Sequence, residues 1–394
     1  MTAAERSLKR TEADARVADN VRAVRKVVIH IGVSKSGTSY LQNALAARRA
    51  ELIADQWLFP GHDHNQTAEF ISVLGEASPW GAQWKRAVKS KRWDPMMKQI
   101  KAAPGTVLLS SELLAGLTPE GIDLILTELD ESDVKIVVTA RDLGRTLPSM
   151  VQQHFKSGRV STVENYYQRL ANGRGRNDPD LWWWRAFELP ALVERWQANP
   201  RVSSIALVTA PAAGTSGSLW TRFADAIDLP LDRTHAPVMP LDAANVALDK
   251  YQMRLIRYLN LEMLETDLAL DSQVQLRERL IAKWMAAGNG PGRDKLTIHS
   301  DRWRQVVAGW AAEDIAGLKE LDFELSGDLD DLRPRFEDEL SGDQSDPSQC
   351  PDDELANLMA AVQAVMAQQD ELERINNKAV IRIGRTARRR LTRS

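Results

Sequence analysis

The chain is poor in cysteine and has no long apolar run. Its 394 residues contain one cysteine, Cys350, which excludes an intrachain disulfide framework and a zinc site built from several cysteines. No stretch of about 18 uncharged apolar residues occurs, so the sequence predicts no membrane-spanning helix. Residues 1–25 lack the apolar core of a secretory signal. We therefore expect a protein of the reducing cytoplasm.

Aromatic residues are also scarce, at 6%, but twelve of the twenty-four are tryptophan and three of these stand together at 182–184. Packing is the interpretation that we favour for this Trp cluster, and recognition of a ring-shaped ligand is the alternative. The charged fraction of 27% and the hydrophobic fraction of 43% are ordinary for a globular enzyme. The net charge of −3 argues against a nucleic-acid-binding surface along the whole chain.

Charge of one sign is concentrated in two segments near the C-terminus. Residues 321–355 contain thirteen acidic and two basic residues, and residues 378–394 contain seven basic and no acidic residues. The acidic part, with its Pro and Ser residues, predicts a linker at 336–352. Two interpretations of the basic tail stay open. It makes peripheral contact with the anionic inner face of a membrane, or it is a solvated tail partly neutralised by the acidic segment.

A helix is predicted between this linker and the basic tail, within 353–394. Its regularly spaced positions follow a 3-4-3-4-3 pattern at Leu355, Leu358, Val362, Val365, Gln369 and Leu372. That spacing is typical of a short coiled coil or of a helix that docks on another surface. Because the segment is too short to be a stable helix alone in water, a homodimer through this helix is one expectation.

Four short apolar segments alternate with helical patterns over residues 26–240. The segments are rich in β-branched residues and lie at 26–31, 106–111, 134–140 and 204–210. Continuous apolar runs of this length are typical of strands buried on both faces of a parallel sheet. The sequence therefore predicts an α/β fold with a central parallel sheet flanked by helices. Residues 1–25 are expected to form a tail. Residues 241–335 have helical spacing only and are expected to pack on the core as a helical part.

The segment 30–42, HIGVSKSGTSYLQ, joins the first predicted strand to a helix through a glycine-containing turn. Backbone N–H groups and the positive end of the helix dipole meet there, and this arrangement binds phosphate or sulfate. Gly32 and Gly37 permit the tight turn, and Lys35 supplies a positive charge. Hydroxyl donors are available from Ser36, Thr38 and Ser39. The alternative is a Gly/Ser turn that binds no ligand.

A second candidate for anion binding follows the strand at 134–140. Arg141 stands at the end of this strand, and Ser149 follows eight residues later in a helical segment. A guanidinium group can donate to two phosphate oxygens at once, and the serine hydroxyl can donate from the helix. The alternative is an ordinary Arg141–Asp142 pair at a strand end, with an unrelated serine after it.

These two motifs, in this order, resemble those of the sulfotransferase superfamily. The run Lys-Ser-Gly-Thr-Ser at 35–39 resembles the family's 5′-phosphosulfate loop, with Ser34 where proline is common. Arg141 and Ser149 resemble its 3′-phosphate motif. The resemblance covers roughly residues 26–230. It implies the P-loop-like sulfotransferase fold, 3′-phosphoadenosine 5′-phosphosulfate (PAPS) as the sulfuryl donor, a hydroxyl or amine acceptor, and no metal. The candidates for the family's later Gly-rich basic motif are Arg293 and Lys295, by composition only.

The acceptor hydroxyl needs a base, and Glu112 is the first candidate. It follows the strand at 106–111, at the carboxyl end, where ligands of open α/β sheets bind. The resemblance implies the same choice, because several carbohydrate-acting relatives use Glu in this role. Lys35 is expected to stabilise charge on the leaving oxygen, and Ser110 and Ser111 to donate to the phosphosulfate. The alternative for Glu112 is a carboxylate at a helix start that a neighbour neutralises.

Histidine is the alternative base. His62 and His64 lie in the loop FPGHDHNQ, which could reach the acceptor, and His64 is included among the candidate catalytic residues. The pair does not predict a metal site, because no third group of ligands accompanies it. His154, which follows the second motif, is a further candidate. The remaining histidines are His30, which is expected to be buried on its strand, His235 and His299.

Two other classes of function stay open. A P-loop phosphotransferase or kinase with a deviant loop would need an acidic Mg²⁺ ligand at the end of a neighbouring strand, and Asp142 fits that position. A non-catalytic interaction protein could keep the fold and bind partners through its C-terminal helix and basic tail. For a sulfotransferase, the Trp cluster and the helical part after residue 241 could frame a carbohydrate or glycolipid acceptor. No nucleic-acid partner is expected.

Overall fold

The computed structural model describes most of the chain and divides it into two compact units. The described residues are 26–75, 91–129, 133–176, 184–211, 218–234, 247–266, 270–286, 296–336, 345–352 and 354–368. The first unit comprises the chain up to Ala140, Asn177–Pro237 and Ala316–Leu329. The second unit comprises Arg141–Arg176, Val238–Ile315 and the chain from Asp330 onward.

Several sequence predictions fall outside the described residues. They are the N-terminal tail at 1–25, Trp182 and Trp183, His235, Arg293, Lys295, residues 337–344 of the acidic linker, Gln369 and Leu372 of the C-terminal helix, and the basic tail at 378–394. The domain boundaries drawn from the sequence also stay predictions.

A six-stranded parallel sheet forms the centre of the first unit. Its strands are β1 (Lys26–His30), β2 (Trp57–Leu58), β3 (Thr106–Ser110), β4 (Asp133–Ala140), β5 (Val202–Thr209) and β6 (Glu324–Ser326). The order across the sheet is β2-β3-β1-β4-β5-β6, and every neighbouring pair is parallel. The predicted α/β fold with a central parallel sheet is therefore confirmed.

The apolar composition of the central strands explains their place in the sheet. Ile29 of β1 is fully buried, and it pairs with Leu109 of β3 on one side and with Ile136 of β4 on the other. β-branched side chains pack well on a pleated surface that is covered on both faces. His30 pairs with Ser110 at the ends of β1 and β3. Side chains that follow these two strands therefore meet at one edge of the sheet.

Helices flank the sheet and form most of the remaining described structure. In chain order they are α1 (Thr38–Ala47), α2 (Arg49–Ala54), α3 (Thr67–Leu74), α4 (Trp93–Ala102), α5 (Pro119–Leu129), α6 (Leu143–Lys156), α7 (Val163–Gly173), α8 (Trp184–Phe187), α9 (Leu189–Gln197), α10 (Leu219–Ala226), α11 (Lys250–Leu264), α12 (Leu270–Ala286), α13 (Asp301–Lys319) and α14 (354–368). Short 3₁₀ segments span Glu112–Gly116 and Leu329–Leu332. No described helix combines the length and the apolar composition needed to cross a bilayer.

The apolar spacing of the first unit's helices places the expected residues in the core. Leu41 and Leu45, one turn apart in α1, are fully buried, and Leu52 of α2 is 1% exposed. Trp184, at the start of α8, is also 1% exposed. Packing is therefore the correct interpretation for this member of the Trp cluster.

Helix α14 docks on its own chain within the second unit. Leu358 and Val362 are buried in an apolar cluster with residues of α11 and α12, namely Leu255, Leu259, Met263, Leu276 and Leu280. The 3-4 spacing predicts a short coiled coil or a docking helix, and these two positions pack within the unit. The homodimer stays a prediction.

Part of the predicted acidic linker packs against α7. Ser348 is fully buried, and its hydroxyl accepts a hydrogen bond from Val163 N–H at 2.9 Å. The carboxylate of Asp346 accepts from Glu164 N–H at 2.8 Å. The first N–H groups of a helix lack partners within the helix, so these two polar side chains satisfy them. Composition alone indicates a linker here. It cannot show that these polar side chains cap α7, because that contact depends on the folded structure.

Candidate functional site

The backbone after β1 runs alongside β4 before it turns into α1. Val33 N–H donates to Thr139 O at 2.6 Å, and Thr139 N–H donates to Gly32 O at 2.5 Å. These two bonds extend the parallel pairing beyond the last residue of β1. The sheet thus fixes the beginning of the predicted phosphate loop, and the turn itself lies after Val33.

Both glycines of the loop are required by its geometry. Gly32 has a φ of 97°, and a Cβ atom there would lie 3.0 Å from Cα and Cβ of Glu112. Gly37 has a φ of 100°, and a Cβ atom there would lie 2.3 Å from Cδ2 of Leu219. Residues with side chains rarely adopt such positive φ angles. The first glycine also lets the loop approach the backbone of Glu112 closely.

The N-terminus of α1 has no side-chain cap. Gly37 is the N-cap residue, so no side chain caps the helix, and the first turn contains no acidic residue. The first backbone N–H groups of a helix have no partner within it, and they carry the positive end of the helix dipole. A phosphate or sulfate group would supply the missing acceptors and the opposite charge.

Lys35 adds a charged side chain to this turn. Its φ is 67°, a left-handed value that is uncommon for a residue with a side chain. Burial lowers the pKa of Lys35, and the nearby carboxylate of Glu112 acts in the opposite direction. The lysine is half-buried. A partly desolvated ammonium group interacts more strongly with an anion than a fully solvated one does.

Glu112 lies on the other side of the loop, at the start of the 3₁₀ segment that follows β3. Gln42 of α1 donates from Nε2 to its Oε2 at 3.1 Å. The same Nε2 group also donates to Ser110 Oγ at 3.1 Å. Gln42 is 1% exposed, so its amide holds the glutamate in place from the protein interior. The structure thus brings Lys35 and Glu112 together.

The loop hydroxyls differ in their environments. The hydroxyl of Ser36 donates to Val33 O at 2.6 Å and lies 2.6 Å from Thr139 Oγ1, and Ser36 is 1% exposed. This hydroxyl supports the loop from the interior. Thr38 is buried and Ser39 is half-buried in the first turn of α1. Donation from the three hydroxyls to a ligand stays a prediction.

Ser110 and Ser111 are fully buried. The hydroxyl of Ser110 contacts His30 Nδ1 at 2.8 Å, in addition to the bond from Gln42. The hydroxyl of Ser111 lies 2.8 Å from Thr67 Oγ1. Both hydroxyls therefore bind other side chains of the first unit, and their predicted donation to the phosphosulfate is a prediction still.

His62 and His64 are exposed in the loop between β2 and α3. Asn65 connects this loop to the site: its Nδ2 lies 3.1 Å from His64 Nε2 and donates to Gln42 Oε1 at 3.4 Å. His64 is thus two residues removed from Glu112 in a chain of hydrogen-bonded side chains. Among the described residues, no three His, Cys, Asp or Glu side chains are grouped as metal ligands would be.

The second predicted motif begins the second unit. Asp142 is the N-cap of α6: its carboxylate accepts from Arg145 N–H at 3.0 Å and also from Arg145 Nε. The Ser149 hydroxyl donates to Arg145 O at 3.0 Å. Arg141 is half-buried and directly follows the last residue of β4. The carboxylate of Asp142 therefore pairs with the guanidinium group of Arg145, three residues later.

His154 has an apolar and partly cationic environment in the second unit. Its Nε2 lies 2.6 Å from Ser161 Oγ, and its ring packs 4.9 Å from the ring of Tyr166. Burial, together with the smaller effect of the nearby Arg159 and Arg169, lowers the pKa of His154 to about 4. The neutral ring is therefore the stable form at neutral pH.

Three residues of the first unit were not predicted from the sequence as part of the site: Gln42, Thr139 and Asn65. A sequence signal exists for Gln42, because it stands four residues after Thr38 and three before Leu45 on the buried face of α1. A polar residue on an apolar face usually has a buried partner. Thr139 and Asn65 have no such signal, because their contacts depend on distant parts of the chain.

No protein-family model matches the chain, and no solved structure matches it. The resemblance to the sulfotransferase superfamily therefore rests on two short motifs of this chain. The geometry around Lys35 and Glu112 stands beside that resemblance as a separate observation.

Proposed function

We propose that the protein is a PAPS-dependent sulfotransferase that transfers the sulfuryl group to a hydroxyl or amine acceptor. One observation carries the proposal: the uncapped N-terminus of α1, with Lys35 in its turn, lies beside the carboxylate of Glu112. An anion site and a candidate base within one unit are the two elements that sulfuryl transfer to a hydroxyl requires.

The roles follow from the chemistry of the groups. The backbone N–H groups of α1 and the ammonium of Lys35 bind the 5′-phosphosulfate. Glu112 accepts the proton of the acceptor hydroxyl as its oxygen forms a bond to sulfur. The bond between sulfur and the bridging oxygen breaks, and Lys35 stabilises the negative charge that this oxygen acquires. Gln42 keeps the glutamate carboxylate oriented through its bond to Oε2.

Arg141 and Ser149 keep their proposed role as ligands of the 3′-phosphate. Arg141 offers a guanidinium group that matches phosphate geometry. The hydroxyl of Ser149 donates to Arg145 O in this structure, so it must rotate to donate to a ligand. Rotation about one side-chain bond of an exposed or half-buried residue is fast.

The loop at 61–65 supports a polar acceptor, which we propose to be a carbohydrate or glycolipid. His62, Asp63 and His64 are exposed, and Asn65 links their loop to Gln42 at 3.4 Å. Donors and acceptors of this kind suit a ligand with many hydroxyls better than an apolar one.

The phosphotransferase alternative has less support. Asp142, its candidate Mg²⁺ ligand, is 1% exposed and binds the backbone and side chain of Arg145. Both carboxylate oxygens therefore already accept hydrogen bonds from Arg145, which makes the carboxylate a weaker candidate for a metal ligand. The non-catalytic alternative predicts that no small ligand of the loop stabilises the protein.

The proposal is tested by mass spectrometry of product formation. The purified chain is incubated with PAPS and a panel of hydroxyl-bearing glycans, and cells with and without the gene are compared for sulfated metabolites. We expect a product heavier by one sulfuryl group and release of 3′-phosphoadenosine 5′-phosphate. Absence of any sulfated product in both assays would contradict the proposal. The Glu51→Gln variant, which alters an exposed glutamate of α2, is the control for Glu112→Gln.

A further inference from the structure

His30 lies in the protein interior and connects the phosphate loop to Glu112, the candidate base, through hydrogen bonds. It is fully buried at the end of β1, between β3 and β4. Its Nδ1 lies 2.8 Å from Ser110 Oγ, and its Nε2 lies 3.0 Å from Thr139 Oγ1. The ring of Phe223 covers it edge-on at 5.1 Å. Both ring nitrogens therefore bind hydroxyls, one on each neighbouring strand.

The protons on the loop side can be assigned one by one. Ser36 has one hydroxyl proton, which it donates to Val33 O at 2.6 Å. The contact of 2.6 Å between Ser36 Oγ and Thr139 Oγ1 then requires the proton of Thr139. A hydroxyl carries only one proton, so Thr139 Oγ1 must accept from His30. The ring nitrogen that faces Thr139, Nε2, is therefore the protonated one.

The protons on the glutamate side agree with this assignment. If Nε2 of the neutral ring is protonated, Nδ1 is an acceptor, and Ser110 donates its single proton to it. Ser110 Oγ is then free to accept from Gln42 Nε2, at 3.1 Å. The second proton of that amide goes to Glu112 Oε2, also at 3.1 Å. Each donor on this side is used once.

A charged imidazolium would disrupt this arrangement. It donates from both nitrogens, so Ser110 could no longer donate to Nδ1 and would have to turn its proton elsewhere. Burial opposes the charged form and lowers the pKa of His30 to about 3. The neutral ring is thus the form present at the pH of the cell.

We propose that His30, as the neutral Nε2–H tautomer, is a positioning residue that holds both the phosphate loop and Glu112 in place. One arm runs through Thr139 to Ser36 and holds the loop, and the other runs through Ser110 and Gln42 and holds the carboxylate. The terms phosphate loop and candidate base rest on the proposed sulfotransferase function, whereas the hydrogen-bond directions do not.

The tautomer is tested by ¹⁵N-histidine NMR of the full chain without ligand. We expect a His30 ring with protonated Nε2 and unprotonated Nδ1 at pH 7 and unchanged at pH 5, assigned by its loss in His30→Gln. If His30→Gln does not fold, the Ser110→Ala variant assigns it by a shift of Nδ1. A protonated Nδ1, or a ring that becomes charged between pH 7 and pH 5, would overturn the proposal.

The two arms are tested separately by amide hydrogen exchange. Thr139→Val keeps the volume but removes the hydroxyl, so exchange should rise at 33–39 and not in the 3₁₀ segment at 112–116. Ser110→Ala should raise exchange at 112–116 and not at 33–39. Thr139→Ser, which restores the hydroxyl, should restore protection. The control is Ser203→Ala, a strand serine that binds Asp133 and Val134. Equal effects of both variants on both segments would overturn the assignment of the Thr139 arm to the loop and of the Ser110 arm to the carboxylate.

Binding and turnover then separate this inference from the proposed function. Thr139→Val should weaken binding of 3′-phosphoadenosine 5′-phosphate by roughly 3- to 10-fold, the effect of one hydrogen bond, and Ser110→Ala should lower kcat by a larger factor than it weakens binding. If the tautomer and the exchange pattern are as expected but this nucleotide does not bind, the sulfotransferase proposal fails and the positioning role stands. If this nucleotide binds and PAPS is turned over but the tautomer is the opposite one, the positioning role fails.

Discussion

Two strand-to-helix junctions of this protein have opposite chemistry. At the junction after β1, the N-cap of α1 is Gly37, which makes no side-chain cap, and the first turn contains no acidic residue. At the junction after β4, the N-cap of α6 is Asp142, whose buried carboxylate accepts from Arg145 N–H. The helix after β5 is also capped by its own side chain, since Ser218 accepts from Thr221 N–H.

The difference shows where an external anion can bind through the backbone. The capping carboxylate of Asp142 satisfies one of the unpaired N–H groups. Its negative charge also offsets the positive end of the helix dipole, so the backbone of α6 attracts an external anion less. Helix α1 keeps both its N–H groups and its dipole for a ligand. Any anion contact at the second junction must therefore use a side chain, and Arg141 directly precedes the cap.

We call the junction after β1 the open junction, because α1 has no side-chain cap there. The largest effect is expected at Glu112, the candidate base beside it. Glu112→Gln keeps the hydrogen bond from Gln42 in reach but removes the proton acceptor, so transfer should fall on the order of 100- to 10,000-fold. Binding of 3′-phosphoadenosine 5′-phosphate should not weaken. Steady-state rates and calorimetric titration measure the two quantities, with Glu51→Gln as the matched control. An active Glu112→Gln enzyme would move the base to His62, His64 or His154.

The open junction itself is tested by Lys35→Ala. Loss of the ammonium removes stabilisation of the leaving oxygen, so turnover should fall about 100- to 1,000-fold, together with weaker donor binding. Lys98→Ala, an exposed lysine of α4, is the control and should behave as the wild type. Wild-type turnover by Lys35→Ala would show that the loop is not the site of transfer.

The second junction should show a smaller effect that depends on a side chain. Arg141→Ala removes one charged hydrogen-bond donor, which is worth about 1.5–3 kcal/mol, so the nucleotide should bind roughly 10- to 150-fold more weakly. Binding of a nucleotide without the 3′-phosphate should be unaffected. Arg169→Ala, an exposed arginine of α7, is the control. Equal losses for both nucleotides would contradict the assignment of Arg141 to the 3′-phosphate.

The smallest effect is expected for the cap of the second junction. Asp142→Ala leaves Arg145 N–H without its acceptor and should lower the free energy of unfolding by about 1 kcal/mol. Asp142→Asn keeps an acceptor oxygen and should lose less. Chemical denaturation measures both variants. If Asp142→Asn abolished a metal-dependent activity without changing stability, the carboxylate would be a metal ligand and the contrast between the junctions would fail.

The fold was predictable because four of its strands consist of continuous apolar runs. The four segments expected at 26–31, 106–111, 134–140 and 204–210 correspond to β1, β3, β4 and β5. The edge strands β2 and β6 have two and three residues, too few to show a pattern. They form because they pair with β3 and β5, and such pairing depends on the rest of the sheet.

The candidate site was predictable only where its residues are local in sequence. The loop around Lys35 follows one strand, and Glu112 follows another, so the edge at which both lie could be inferred from parallel topology. The contact between Gln42 and Glu112 spans 70 residues, and that between His30 and Thr139 spans 109. Contacts of this kind depend on register, which the sequence pattern of a buried strand does not specify.

The most direct test of the open junction is a thermal-unfolding titration of the purified full chain. 3′-Phosphoadenosine 5′-phosphate should stabilise the wild type without metal, by about 2.7 kcal/mol at a concentration 100 times its Kd. It should stabilise Lys35→Ala by clearly less at that concentration, and ATP with Mg²⁺ should have little effect on either. Stabilisation by ATP with Mg²⁺ instead of 3′-phosphoadenosine 5′-phosphate would contradict a sulfotransferase. Stabilisation by neither ligand would contradict an anion site at α1.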